Sequence, residues 1–244
     1  MNDGALDSGL PGGVAVSRLR VYDWPASDGL RGGSPHLHTA SSEAYVVLAG
    51  RGKVQTLSSQ GFASTELVPG TIAWFTPGTV HRLINDDGEL DILTVMSNAG
   101  LPEAGDAVLT FPMSVLQDPD AYARNAALPQ AVGQSWSADA ARVRRDLALE
   151  GFAELRASVA QDLEGTLSRL YSAAALLVGG RTASWQRLVE SGPSGQVRET
   201  EAQLDALAAG LPGIMTGSGI REAIQGAEPR YGMCGLLTTW DFGL

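Results

Sequence analysis

The chain contains three histidines, and all of them stand in one pattern with a glutamate: His36, His38, Glu43 and His81. His36 and His38 are two residues apart, so on an extended strand both imidazoles point to the same face. Thr39 to Ser42 then leave room for a short bend before Glu43 opens another strand. His81 begins a second apolar run, after the turn signal Thr76-Pro77-Gly78. Three neutral imidazoles and one carboxylate suit one divalent first-row transition ion (Fe, Mn, Ni, Cu or Zn), and such a set leaves coordination positions open.

Two spacings recur around these residues. His36, His38, Glu43 and Gly50 follow one, and Gly70, Gly78, His81 and Asn85 follow the other. In both, residues 14–112 resemble the cupin superfamily. Its first motif is His-x-His, a Glu after three or four residues and a Gly after six more. Its second is Gly, five residues, Pro-x-Gly, two residues, His, three residues, Asn. The usual first glycine position holds Leu30, with Gly29 one place early, and the usual proline position holds Thr76, with Pro77 adjacent. Both departures fall in turns and leave the ligand positions filled. The resemblance implies an antiparallel jelly-roll barrel, with His36, His38, Glu43 and His81 as metal ligands and a small-molecule ligand or substrate bound inside. It also implies a homodimer, since cupins commonly pair and open sheet edges need cover.

The elements that would position these groups are short and β-rich. Val14 to Tyr22 alternates as a first strand, and Asp23 to Pro35 is a loop broken by Pro25, Gly29, Gly32 and Gly33. Glu43 to Leu48 is a β-branched and aromatic run. If Glu43 points into the barrel, Tyr45 and Val47 do too. Ala49-Gly50-Arg51-Gly52 turns into the strand Lys53 to Leu57, followed by Phe62 to Leu67 and, after Val68-Pro69-Gly70, Thr71 to Phe75. Beyond His81, Leu83 and Asn85 share its face. Tyr45, Val47, Trp74, Leu83 and Asn85 are therefore the candidate pocket residues. Asn85-Asp86-Asp87-Gly88 turns the chain into a last strand, Leu90 to Met96.

Beyond the barrel the period changes. Thr110 to Leu116 adds a strand or covers the barrel, and Pro119 to Pro129 reads as a short helix. From Ser137, a candidate N-cap, Val143, Leu147, Ala148, Phe152, Leu155 and Val159 form one helical stripe. Arg142, Arg144 and Arg145 alternate with Asp139, Asp146 and Glu150, which reads as a solvated helix face. Leu163, Leu167, Leu170, Tyr171, Ala174, Leu177 and Val178 mark a second helix that stops at Gly179-Gly180. Shorter helices follow around 182–190 and 196–209. Tyr231 to Asp241 is apolar and suits an edge strand, on the barrel or on a neighbour; the pattern leaves both open. The expected organisation is a flexible tail over 1–13, a cupin β-barrel over 14–116 and a mostly α-helical C-terminal region over 117–244. The fold class is mainly β.

Composition narrows the partners. A net charge of −10 and a pI near 4.7 speak against nucleic acid and anionic membranes. No apolar run approaches the roughly 20 residues that span a bilayer, and the N-terminus lacks a basic region leading into an apolar core. The single cysteine, Cys234, cannot form an intrachain disulfide, which fits a cytoplasmic protein, and it reads as a small structural hydrophobe. The single lysine, Lys53, makes Schiff-base chemistry a poor fit.

With all histidines engaged, metal-centred chemistry is favoured over side-chain acid–base work. The leading expectation is a metal-dependent oxidoreductase, dioxygenase-like, acting on a small oxygen-bearing molecule, with oxidation ahead of isomerisation. Glu43 would be a ligand that could double as a base. The alternative is a non-catalytic binding or sensing cupin. A histidine-based carbohydrate epimerase ranks below both.

Overall fold

The computed structural model describes residues 9–128 and 137–242. Its first half contains β1 (Ala15–Val21), β2 (His36–His38), β3 (Glu43–Ala49), β4 (Gly52–Ser58), β5 (Gly61–Leu67), β6 (Ile72–Phe75), β7 (Val80–Asn85), β8 (Asp91–Met96) and β9 (Ala107–Leu109). Helices follow: α1 (Met113–Leu116), α2 (Pro119–Ala126), α3 (Ala138–Val159), α4 (Leu163–Val178), α5 (Thr182–Ser191) and α6 (Pro193–Ala208). The chain ends in β10 (Ile224–Gln225), β11 (Arg230–Tyr231) and β12 (Gly235–Asp241). One antiparallel sheet runs β10-β12-β1-β8-β3-β6, with β11 also on β12, and the other runs β5-β4-β7-β2-β9. The expected class holds: a β-rich first half of two antiparallel sheets, then a helical region.

Strand alternation sorts the side chains into two cores. Leu19, Val21, Tyr45, Val47 and Ile92 from the first sheet meet Val54, Leu67 and Leu83 from the second, which is the barrel interior. On the second sheet the opposite parity faces out, and Leu37, Leu57, Val80 and Val108 pack there under Ala148, Phe152 and Leu155 of α3 and Leu167, Leu170 and Ala174 of α4. Each fully buried aliphatic side chain contributes about 1.5–3 kcal/mol. Leu37 thus anchors β2 to the helices while His36 and His38, at the other parity, face inward.

The apolar run expected as a strand over Thr110 to Leu116 is placed otherwise. The strand is β9, three residues earlier, and Pro112 starts the short α1. Asp118 caps α2, and Ser137 caps α3 by accepting from the Ala140 amide, as its position suggests. Pro129 and the rest of 129–136 lie outside the described residues, as do 1–8 of the expected tail. Residues 10–13 are held by α6: Gln196 accepts from the Gly12 amide and donates to the Leu10 carbonyl.

The stripe expected on α3 is rotated. Val143 is 71% exposed, whereas Arg144 and Arg145 are buried, so these two arginines are not a solvated face. Arg145 donates to the carbonyls of Trp24 and Pro25 and pairs with Asp146, and Arg144 donates to the carbonyls of Ala126 and Gly232. The two buried guanidiniums find their acceptors in these carbonyls, and charge-assisted bonds of this kind are the stronger ones. Arg142 lies over the Trp24 ring. The Gly179-Gly180 stop is a single 3₁₀ turn before α5 begins. The terminal strand returns to its own barrel, β12 pairing with β1 from Ser17 opposite Thr239 to Val21 opposite Gly235. Among the described residues no helix is long and apolar enough to cross a membrane.

The loop over 23–35 is fastened to β7, next to His81, by Asp28, which accepts two hydrogen bonds from the buried Arg82. Partial burial works against the Asp28 carboxylate, but Arg82 outweighs it and holds its pKa below the ordinary value. A depressed carboxylate pKa contributes stability above the unfolded value of about 3.9 and loses it as pH falls through the folded value. Asp28→Asn should therefore lower the free energy of unfolding at pH 7 by about 1–2 kcal/mol, because it leaves a buried guanidinium without its charge partner while Asp28 itself is partly exposed. In urea titrations the variant and the wild type should begin to converge below about pH 4 and meet once pH has fallen through the depressed folded pKa of Asp28. Equal stabilities at pH 7 would show that the pair contributes nothing.

Candidate metal centre

β2 is only three residues long, so its neighbours hold it. His36 stands opposite His81 of β7 and opposite Leu109 of β9, which fixes one register for two of the histidines. The Gly78 amide donates to the His38 carbonyl at 2.8 Å, joining the turn before His81 to the His-x-His strand. Gly78 has φ of +85° and Gly50 +74°, and a side chain on Gly50 would strike the backbone of Glu89 and Leu90. Gly29, one place early in the sequence pattern, also has positive φ, so it meets the turn requirement from its shifted position.

His36, His38, Glu43 and His81 converge, with one ligand atom from each lying within 4.8 Å of all the others. All four are buried. The Nε2 atoms of His36 and His81 are 3.1 Å apart, and Glu43 Oε2 lies 3.0 Å from His81 Nε2 and 3.3 Å from His38 Nε2. The far nitrogens point outward. His36 Nδ1 donates to the Ser34 carbonyl at 3.0 Å, His81 Nδ1 donates to the Thr79 carbonyl at 3.0 Å, and His38 Nδ1 is 3.4 Å from Asp106 Oδ2. With Nδ1–H donated to carbonyls, the Nε2 atoms of His36 and His81 are lone-pair acceptors facing each other. Glu43 Oε2, beside the Nε2 atoms of His81 and His38, has no well-aligned hydrogen bond among the described residues. Buried acceptors gathered in this way call for a cation, and outer-nitrogen anchoring is how imidazoles are oriented toward a metal. The four residues could hold a divalent ion.

The electrostatics agree. Burial, and then the neighbouring His81 and His38, keep His36 well below its usual pKa, in the neutral form that ligation needs. Burial works against charge on Glu43, but the approach of the His38 and His81 imidazoles outweighs it and holds the carboxyl well below the ordinary range. Burial also opposes protonation of His38, yet the Asp106 and Glu43 carboxylates raise it to about 9. A divalent ion supplies the same positive charge in place of that proton.

Asp106 was not legible as a site residue. It is fully buried just before β9, accepts from the amides of Thr39, Ala40 and Ser41 and from the Thr39 hydroxyl, and lies beside His38. One carboxylate thus fixes both the bend between His38 and Glu43 and the outer edge of His38. Cys234 is a second unforeseen neighbour, with Sγ 3.9 Å from His36 Nδ1. Burial pushes its thiol up, which agrees with a structural hydrophobe.

The cluster opens on a cavity of about 550 Å³, within the range of small-molecule sites. His36, His38 and Glu43 line it together with Thr94 and Met96 of β8 and, from the chain end, Tyr231, Leu237 and Trp240. The expected pocket residues divide. Tyr45 is wholly buried one register step from Glu43, with its ring centroid 6.4 Å from that of His81 and 5.3 Å from that of Phe75. Val47 and Leu83 sit deeper in the barrel core and do not line the cavity. Asn85 is a turn fastener: its amide donates to the Val21 carbonyl and its oxygen accepts from the amides of Gly88 and Leu90. Trp74 is 73% exposed, because it has the opposite parity to Phe75 on β6 and faces away from the barrel.

The family model described as cupin domain matches residues 28–96. A search of curated protein sequences found no match. Among solved structures, the chain is similar to an uncharacterised conserved protein with a double-stranded β-helix domain from Klebsiella pneumoniae, at 21% identity and a TM-score of 0.26. That match covers 34% of this chain and spans 64% of the length of the Klebsiella protein. A nucleoside dehydratase from Streptomyces matches at 17% identity and a TM-score of 0.31, over 43% of this chain and 71% of the other. An oxalate decarboxylase variant from Bacillus subtilis matches at 16% identity and a TM-score of 0.36, over 46% of this chain and 28% of the other.

If Asp106 aligns His38, then Asp106→Asn should weaken divalent-ion affinity about 10- to 100-fold in competition with a chelator. The far-ultraviolet dichroism should stay that of the wild type. Wild-type affinity in the variant would reduce Asp106 to a loop fastener.

Proposed function

We propose that the protein is a metal-dependent cupin enzyme that binds one divalent transition ion through His36, His38, Glu43 and His81 and acts on a small oxygen-bearing molecule. Dioxygenase-like oxidation is favoured over isomerisation. The observation that carries the reading is the convergence of one potential ligand atom from each of four buried residues, all within 4.8 Å of one another, at the wall of a cavity large enough for a small molecule. A bound ion supplies Lewis-acid polarisation or one-electron chemistry at the open side of the set.

The chain's own residues then have separate tasks. His36 and His81 are aimed by the carbonyls of Ser34 and Thr79, and His38 by Asp106. Glu43 is wedged between two imidazoles, which suits a ligand better than a base that must leave and return. Met96, Met233 and Leu237 make the cavity wall apolar and keep water from the reacting atoms. Thr94 Oγ1, buried and without a partner among the described residues, is placed to orient an oxygen of the substrate. A homodimer belongs to the same reading, since β5 and β6 end their sheets as open edges. A cytoplasmic location accords with one free, buried cysteine.

Elemental analysis of protein purified without a nickel column should find near-stoichiometric Fe, Mn, Ni or Cu, and oxygen uptake should follow addition of a substrate. His36→Ala and His81→Ala should each lose that metal and remain folded, because core packing holds the strands. Metal content unchanged in either variant would remove the proposed site. Saturable binding of small molecules without turnover would move the protein to the sensing class.

A further inference from the structure

The strand registers sort the inward side chains of the first sheet into rows. Leu237, Leu19, Ile92 and Val47 are successive partners across β12, β1, β8 and β3, and this aliphatic row belongs to the barrel core. Two residues along each strand, the same registers line up Thr239, Ser17, Thr94 and Tyr45. The first three of these hydroxyl-bearing residues line the cavity, and Tyr45 continues the row into the core. Two residues further, Met96 lies opposite Glu43, so the row runs beside the His–Glu cluster. Packing does not account for it. Valine has the shape of threonine, and the neighbouring row shows aliphatic side chains filling equivalent positions. Thr94 is only 4% exposed, and its hydroxyl has no partner among the described residues, which costs stability unless a ligand supplies one.

We propose that the site takes a neutral polyhydroxylated molecule of one to two sugar units, with an oxygen at one end on the cluster and later oxygens along Thr94, Ser17 and Thr239. This rests on the metal-dependent reading and names the substrate class for it. Spacing is the first argument. Thr94 lies one strand across and two residues along from Glu43, about 8 Å away, and Ser17 and Thr239 follow at steps of about 4.8 Å. A molecule that bears oxygens along its length can pair with all three. A two-carbon acid is too short, and an aromatic one would leave the hydroxyls covered and unpaired. The cavity of about 550 Å³ has room for the longer molecule. Charge is the second argument. Besides the cluster, the charged side chains on the lining are Glu103, Asp241 and Arg230, two carboxylates to one guanidinium among the described residues. That balance, on a chain of net charge −10, favours a neutral molecule over an anion.

Calorimetric titration of the metal-loaded full chain with D-glucose, D-glucitol and maltose, and with benzoate as the aromatic acid, tests this. The variants are Thr94→Val, Ser17→Ala and, as a control facing outward on β12, Thr238→Val. At least one polyol should bind saturably to the wild type and the control, and Thr94→Val and Ser17→Ala should each weaken it about 5- to 10-fold, the loss of one hydrogen bond. In urea without ligand, Thr94→Val should be at least as stable as the wild type, since it removes an unpaired buried hydroxyl. A less stable variant would make that hydroxyl structural and overturn its role. Polyol binding unchanged in both row variants would overturn the row. Binding of benzoate but of no polyol, or of neither, with metal content intact, would overturn the polyol assignment and leave the metal centre standing. A wild type that retains no divalent ion would overturn the metal-dependent reading and this assignment with it.

Discussion

Gathering three imidazoles and a carboxylate in the interior of a barrel is electrostatically costly, and much of the structure is arranged around that cost. An ionised carboxylate out of water loses several kcal/mol of solvation unless charges and dipoles replace it. Here the replacements are graded outward. Glu43 meets His38 and His81, those imidazoles meet Asp106 and the Thr79 carbonyl, and Asp106 meets three backbone amides. Each shell is polar on its inner side and joined to backbone on its outer side. The short β2, hardly a strand by itself, keeps its geometry because β7 and β9 flank it and Leu37 is locked under the helices.

What could be read from the sequence was whatever depended on local spacing. The two-residue interval between His36 and His38 fixes a common face whatever the surroundings, and the glycines at 50 and 78 announce turns that only positive φ allows. The strands and the four converging residues were therefore visible. What escaped was set by distance along the chain. Asp106 lies 68 positions beyond His38 in an irregular stretch, and no periodicity connects them. Val47, Leu83 and Asn85 were assigned because they share a strand face with a ligand, and Trp74 because its strand leads to the turn before His81. Parity sends Trp74 outward, depth puts Val47 and Leu83 in the core, and the turn claims Asn85. Arg144 and Arg145 resembled a solvated face because their neighbours are charged. The carbonyls that bury them belong to residues 24, 25, 126 and 232, remote from them in sequence or beyond a loop.

The same carbonyl partners show what the helical region does for the barrel. Between β9 and β12 the chain leaves the sheets, covers the outer side of the histidine-bearing sheet and comes back to the free edge of β1. α3 is the pivot of this excursion. Through Arg145 it holds the loop that precedes the His-x-His strand, and through Arg144 it holds Gly232, next to the segment that places Cys234 against His36. The helices carry no catalytic group into the cavity, yet they set the position of the terminal strand that walls it.

That wall gives the cavity two unlike sides. The ligand side is saturated: the outer nitrogens of His36 and His81 donate to carbonyls, and His38 faces Asp106. On the opposing wall Thr94 is buried and its hydroxyl lacks a partner among the described residues; its register partner Tyr45, likewise unpartnered, belongs to the barrel core and does not line the cavity. A buried hydroxyl left alone costs about 1–3 kcal/mol, so Thr94 is under-satisfied until something polar enters the cavity. Tyr45 is two residues from Glu43, or about 6.7 Å along the strand. A molecule filling the cavity can present one oxygen to the His–Glu cluster and another to Thr94, while Glu103 and Arg230 at the same wall offer it charged partners of either sign.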